Sequence, residues 1–169
     1  MNPLLIQLIG GVGVLFLTLS FQKNKRSFTL MSQLAGSCFF LIHFVLLGGW
    51  TGVGMNVIAA LRSYIFNLRE KKSWAKNDMT MYVFVALFWI AGAVTWQGYL
   101  SIFPVYAMTL ECFALWADTP KKMRRIYLFA RPGWIVYDFM MGSYAGLLSE
   151  VTIITSLIVA VFRFDRKKK

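Results

Sequence analysis

The sequence predicts an all-α membrane protein with seven transmembrane helices, an N-terminus outside the cell and a C-terminus inside. Its 169 residues are 58% hydrophobic and only 15% charged, more apolar surface than a soluble domain of this length can bury. Of the 18 lysines and arginines, 16 fall in four short clusters between long apolar runs. These basic breaks alternate with uncharged breaks, the pattern expected when basic loops stay in the cytoplasm.

The spans follow from length and polarity, since a transmembrane helix needs about 20 mostly apolar residues. They are predicted at residues 4–21, 28–47, 51–68, 79–96, 99–117, 124–141 and 145–163. The basic clusters that separate them are Lys23 to Arg26, Arg69 to Lys76, Lys121 to Arg125 and Arg163 to Lys169. The apolar runs are continuous, whereas barrel strands alternate, so strands are not expected.

Local residues account for several span ends. Gly48–Gly49 and Gly142 follow spans two and six, and glycine is a common helix stop. The run 118–120 (Asp-Thr-Pro) ends span five, and Pro104 is expected to kink that span. Amphipathic rings prefer the membrane edge. The rings assigned to the outer edge are Trp50, Trp96, Tyr99 and Tyr144.

The composition also bears on partners and compartment. A formal charge of +11 would suggest nucleic acid, but here the charges form an inner rim, which predicts contact with anionic membrane lipids and no nucleic-acid partner. The first apolar run lacks a preceding basic segment and a cleavage site, so a retained span is expected. Cys38 and Cys112 are expected to be buried thiols, with no disulfide, metal or cofactor implied.

An internal repeat emerges when the chain is shifted by 94 residues. The matched positions are 48–52 with 142–146, Phe40 with Trp134, His43 with Tyr137 and Asn56 with Glu150. We therefore predict a first three-helix bundle over residues 1–70, a linker helix over 71–97 and a second bundle over 98–169, in a parallel 3+1+3 repeat. Such repeats bind substrate at their interface in known transporters. Coincidence is the alternative, since glycine-ended hairpins are common in membranes.

These residues carry a resemblance to known proteins. The stretches 40–44 (FLIHF) and 48–50, with 134–138 (WIVYD), 142–146 and Glu150, resemble the YgjV family of bacterial inner-membrane proteins. The seven-span pattern resembles the wider SWEET and PQ-loop superfamily, passive carriers of small polar solutes. That resemblance implies multi-pass inner-membrane localisation and a pocket with an aromatic residue on each bundle's second helix and a polar residue on its third. The chain departs from it at Pro104, because valine follows where PQ-loop proteins have glutamine.

Ionisable residues inside spans cost about 2.5–3.5 kcal/mol on insertion scales, so each raises a functional question. Arg62 and Arg131 either reach the headgroups, pair with an acid such as Glu111, or contact a polar substrate. Asp138 either lies at a solvated rim or belongs to the pocket. Glu150 is favoured as a pocket carboxylate that binds a cation or proton.

Two aromatic positions also leave alternatives open. His43 is either a proton relay or a hydrogen-bonded core residue. Trp134 either stacks on a substrate ring or packs between helices.

The leading interpretation is a carrier, not an enzyme, that moves a small polar solute such as a sugar, nucleoside or vitamin by alternating access. Its substrate-binding residues are predicted to be Phe40, His43, Asn56, Arg131, Trp134, Tyr137, Asp138 and Glu150. A structural or assembly partner without a solute pathway is the second interpretation, and a membrane-embedded lipid enzyme is a third. Homo-oligomerisation through lipid-facing surfaces is left open.

Overall fold

The computed structural model describes residues 3–23 and 25–165, and these residues form helices without any strand. The α-helices are α1 Pro3–Leu19, α2 Arg26–Leu47, α3 Trp50–Asn67, α4 Met79–Val94, α5 Ile102–Trp116, α6 Pro120–Met140 and α7 Tyr144–Ala160. Short 3₁₀ turns lie at Leu68–Glu70, Trp74–Lys76 and Tyr99–Ser101, and a π-helical turn follows at Val161–Asp165. The all-helical expectation is confirmed. Of the last basic cluster, residues 166–169 lie outside the described part.

The predicted helix ends agree with the structure at the glycines and differ near the prolines. Gly48 (φ 73°) and Gly142 (φ 65°) follow α2 and α6 in the left-handed region that glycine adopts at low cost. Helix α6 begins four residues before its predicted span, because the Thr119 side chain accepts a bond from the Lys122 amide and Pro120 takes the first helical position. The expected kink at Pro104 is wrong, because this proline lies in the first turn of α5, where it is tolerated.

Three helical segments are long and apolar enough to cross a membrane, by length and composition: Arg26–Leu47, Tyr99–Trp116 and Tyr144–Asp165. Two further apolar helices are shorter, α1 with 17 residues and α4 with 16. At 1.5 Å per residue they are about 25 Å long, slightly less than the hydrocarbon core. Helices α3 and α6 contain buried arginines, Arg62 and Arg131, which lower their hydropathy.

The helices pack as a ring of neighbours. Consecutive helices contact each other from α1 to α3 and from α5 to α7. Two further contacts close the ring, between α1 and α7 and between α3 and α5. Helix α4 packs against both α3 and α5. Exchanging α1, α2 and α3 with α5, α6 and α7 reproduces the six contacts of the ring but not those of α4.

Two glutamines make matching contacts at the starts of α3 and α7. In each case the side-chain amide donates to the carbonyl of a turn glycine, and its oxygen accepts from the backbone amide three residues later. The pairs are Gln7 with Gly142 O (3.4 Å) and Ala145 N (3.0 Å), and Gln97 with Gly48 O (3.2 Å) and Thr51 N (3.3 Å). The two sets of backbone partners differ by 94 positions, the offset of the repeat predicted from the sequence.

The two ends of the bundle differ in chemistry. At one end, where α3 and α7 begin, the exposed rings are Trp50, Trp96, Tyr99 and Tyr144; we call this the aromatic end. At the other, the basic end, Arg69 donates to the Trp116 carbonyl (2.8 Å) and Arg124 pairs with Asp165.

Burial differs from that of a typical soluble protein in two respects. Several charged side chains, among them Arg62, Glu111 and Arg131, are buried beside an apolar core, and large apolar side chains such as Val94 (79% exposed) and Phe129 (70%) lie on the surface. An apolar exterior of this kind is expected where lipid replaces water. Cys112 is buried as expected, but the expected burial of Cys38 is wrong, since it lies on the exposed face of α2.

Candidate functional site

A chain of buried ion pairs joins α3, α5, α6 and α7. Arg62 Nη2 lies 3.1 Å from Glu111 Oε2, and the other oxygen of Glu111 bonds Arg131. Arg131 Nη1 then lies 3.1 Å from Glu150 Oε1 and 3.3 Å from its Oε2. All four residues are at most 4% exposed. The sequence-based pairing of each arginine with Glu111 is thus present, and the alternative in which they reach the headgroups is not.

Positively and negatively charged side chains alternate along this chain of ion pairs, and this alternation permits the charges to be buried. A charge taken out of water costs several kcal/mol even after relaxation, and a partner with good geometry offsets that cost. Each guanidinium also lies over a ring: Arg131 is 4.4 Å from the Tyr127 centroid and Arg62 is 5.4 Å from that of Phe88. The network therefore fixes four helices relative to one another at the centre of the bundle.

A cavity of about 40 Å³ lies beside this network. By the volume that one water occupies, it has room for about three water molecules. Its walls come from both halves of the chain and combine charged, amide and aromatic side chains. They are Leu17, Gln33, Ser37, Phe40, Phe44, Asn56, Arg62, Met108, Glu111, Tyr127, Arg131, Trp134, Asp138, Gly146, Ser149 and Glu150.

Asp138 stands apart from the ion-pair chain. It is 2% exposed, so the solvated-rim interpretation of this residue is wrong. Its Oδ1 has no hydrogen-bond partner, and the same holds for Ser149 Oγ and Gln33 Oε1, which line the same cavity. Buried polar atoms are ordinarily satisfied, so these unpartnered atoms mark the part of the cavity suited to a polar guest.

The predicted pair His43 and Tyr137 lies behind the cavity. The His43 Nδ1 lies 2.9 Å from the Ile6 carbonyl, which can only accept, so Nδ1 donates; Nε2 lies 3.0 Å from Ser143 Oγ. The Tyr137 hydroxyl accepts from the Gly52 amide (3.0 Å). Each residue thus bonds the start of α3 or α7 in the other half of the chain, as expected of a hydrogen-bonded core residue, and neither lines the cavity.

The chain matches one known protein family over nearly its whole length. The family model described as a bacterial inner membrane protein, Imp-YgjV, matches residues 4–168. The chain belongs to the YgjV family. It is 25% identical over 167 positions to the inner membrane protein YgjV of Escherichia coli strain K12, covering 94% of this chain and 85% of that protein. No solved structure matches it.

In this YgjV-family protein, six of the eight predicted site residues line the cavity: Phe40, Asn56, Arg131, Trp134, Asp138 and Glu150. Sequence reasoning missed Phe44, Ser149, Gln33 and Tyr127. Phe44 had a detectable signal, because it lies 94 positions before Asp138. Gln33 and Tyr127 are also 94 positions apart, and the Gln33 side-chain amide donates to the Tyr127 hydroxyl (3.0 Å), which joins α2 to α6.

The donor set of the cavity is poor in metal ligands. Within residues 3–23 and 25–165, no group of three or more His, Cys, Asp or Glu side chains is arranged to hold a metal ion. The carboxylates of Glu111 and Glu150 are instead occupied by arginines. The site thus offers ion pairs, aromatic walls and unpartnered polar atoms.

Proposed function

We propose that this protein is a SWEET-like carrier that moves a small polar solute across the inner membrane by alternating access. Its two halves, residues 1–70 and 98–169, would be parallel three-helix repeats joined by α4, with the aromatic end outside and the basic end inside. The observation that carries the proposal is a polar cavity between two sets of helices with equivalent neighbours. Transporters built from repeats bind substrate at such an interface.

The equivalence of the halves has support in side-chain detail. Gln7 and Gln97 bond turns that lie 94 residues apart, in the same manner. Phe40 and Trp134, also 94 apart, both line the cavity. An accidental match of sequence would not be expected to place these residues in equivalent contacts, so the repeat is the better explanation.

Movement between the halves follows from the size of the cavity. A volume of about 40 Å³ is far below the roughly 300–1,000 Å³ of drug-sized ligand sites. A sugar or nucleoside would enter only after the halves separate. Pro132 lies inside α6, next to the network residue Arg131, and removes one helical hydrogen bond there. This point of α6 is where we expect the helix to bend during opening.

The second interpretation, a structural or assembly partner, would be favoured by a packed centre without polar openings. Four unpartnered polar atoms on residues that line the cavity, in Gln33, Arg62, Asp138 and Ser149, argue instead for a guest. A lipid enzyme would need several convergent acids or histidines that are free to react, whereas Glu111 and Glu150 are held by arginines.

The test is uptake into proteoliposomes that contain the purified protein, with a panel of labelled sugars, nucleosides, vitamins and small amines. Trp134→Ala should abolish uptake of the solute that the wild type moves, because it removes a cavity wall. Trp89→Ala is the matched control, since Trp89 is 52% exposed on α4, and uptake should persist. Failure of every solute to enter, or equal uptake by both variants, would contradict the carrier.

A further inference from the structure

The part of the cavity nearest the aromatic end combines one carboxylate with aromatic walls. Asp138, Phe44 and Trp134 all line it, and the Phe44 and Trp134 rings are stacked with centroids 6.2 Å apart. Phe40 packs on Phe44 at 6.1 Å. Ser149 completes it, and we call these five residues the amine pocket. Its only formally charged side chain is Asp138.

Asp138 lies against the first turn of α7. A Cβ atom at Gly146 would overlap the Asp138 carboxylate, so the absence of a side chain there is what admits it. Ser149 follows Gly146 by three residues and therefore lies on the same face of α7. The start of a 17-residue helix favours a negative charge beside it. The position thus holds a buried carboxyl group whose Oδ1 has no hydrogen-bond partner, and a cation beside it would stabilise its ionised form.

The arginines of the network do not neutralise Asp138. Arg131 precedes it by seven residues on α6, which is about 10 Å along the helix axis. Arg131 is already bonded to Glu111 and Glu150, and Arg62 to Glu111. The cavity therefore contains two arginines and three carboxyl groups, and the carboxyl group that neither arginine pairs with, Asp138, belongs to the amine pocket.

We propose that the amine pocket binds the protonated amino group of a small primary amine, with Asp138 as its counter-ion. This names the substrate class of the carrier and rests on the proposed function only for transport; binding requires the pocket alone. An ammonium group offers three donors, which suit Asp138 Oδ1 and Ser149 Oγ, the two unpartnered oxygens here. The faces of Phe44 and Trp134 attract a cation as well.

Other ligands fit this chemistry less well. A divalent metal would need about six or more oxygen ligands, and aromatic rings supply none. A guanidinium group carries five donors in a planar fork, more than Asp138 Oδ1 and Ser149 Oγ, the two unpartnered oxygens here, can accept. An anion would be repelled by an ionised Asp138, and a neutral alcohol has no charge with which to stabilise that ionised form.

The experiment is calorimetric titration of the detergent-purified wild type with ethylammonium and with ethanol, its neutral counterpart of similar size. Ethylammonium should bind saturably and ethanol should not. Asp138→Asn should weaken ethylammonium binding by about tenfold or more, as expected when a buried charge pair loses one partner. Asp118→Asn is the matched control, because the Asp118 side chain is 83% exposed, and its affinity should equal that of the wild type.

The possible outcomes distinguish the proposal of an amine pocket from the proposal of a carrier. Binding of ethylammonium that depends on Asp138, without uptake of any solute, would support the amine pocket and remove the carrier. Uptake of a neutral solute at equal rates by wild type and Asp138→Asn, with no amine binding, would overturn the amine pocket and keep the carrier. If Asp138→Asn fails to fold, equal binding of ethylammonium and ethanol by the wild type would overturn the pocket on its own.

Discussion

Replacing Arg131 by methionine tests whether the buried ion network stabilises the fold. Arg131 contacts Glu111 and Glu150, and both glutamate side chains are only 5% exposed. Methionine keeps an unbranched side chain but removes the charge, so Glu150 loses the arginine that it pairs with. Breaking a buried pair in this way costs about 3–5 kcal/mol, since the remaining charge stays buried without compensation. We expect the free energy of unfolding to fall by that amount.

The assay is far-UV circular dichroism during titration of the protein in mixed micelles with sodium dodecyl sulfate. The double variant Arg131→Met/Glu150→Gln removes opposite charges together and should be more stable than Arg131→Met alone. Contacting residues typically show coupling energies of about 0.5–3 kcal/mol in such cycles. Arg125→Met, an exposed arginine on the same helix, should change stability by less than about 0.5 kcal/mol. A loss from Arg131→Met no larger than that, or additive single variants, would refute the reasoning.

Two further predictions concern packing and exposure. Gly146→Ala should destabilise the protein by about 1–3 kcal/mol, because its Cβ would overlap the Asp138 carboxylate. Gly11→Ala is the control: a Cβ there has no atom within 4 Å, so this variant should be neutral or stabilised by about 0.5–1 kcal/mol. Equal melting temperatures of the two variants would contradict the packing at Gly146. N-ethylmaleimide, which partitions into detergent, should modify Cys38 of the folded protein before Cys112, since Cys38 lies on the lipid-facing side of α2 and Cys112 is packed inside. Mass spectrometry of the labelled peptides measures the order, and earlier labelling of Cys112 would contradict the packing.

The sequence predicted most helix boundaries because apolar runs and glycine stops are local features. Span two, predicted at 28–47, is Arg26–Leu47 in the structure. The start of α6 was missed because the basic residues after Pro120 suggest a loop, whereas the Thr119 cap begins the helix there. Cys38 was misplaced because the apolar length of span two was considered without its polar side. Gln33, Ser37 and His43 are all buried and mark the packed face of α2, and Cys38 lies outside that face.

The site residues that could be predicted from the sequence are those paired by the 94-residue offset of the predicted repeat. The 94-residue offset places Phe40 and Trp134 on the cavity, and it would also have paired Phe44 with Asp138. It could not assign the partners of charged side chains, because the position equivalent to Arg131 is Ser37 and that of Glu150 is Asn56. Ion pairs between different helices depend on packing and leave no periodic signal in the sequence.

Access to Asn56 from both sides of the membrane is the most direct test of alternating access. Asn56 lines the cavity and is 6% exposed. In a variant with Cys38→Ser and Cys112→Ala, Asn56→Cys is treated with a membrane-impermeant thiol reagent in right-side-out and inverted vesicles, with buried Ala114→Cys as the control. Reaction of Asn56→Cys in both orientations, with none at Ala114→Cys, is the predicted result. Reaction from one side only, or from neither, would contradict alternating access.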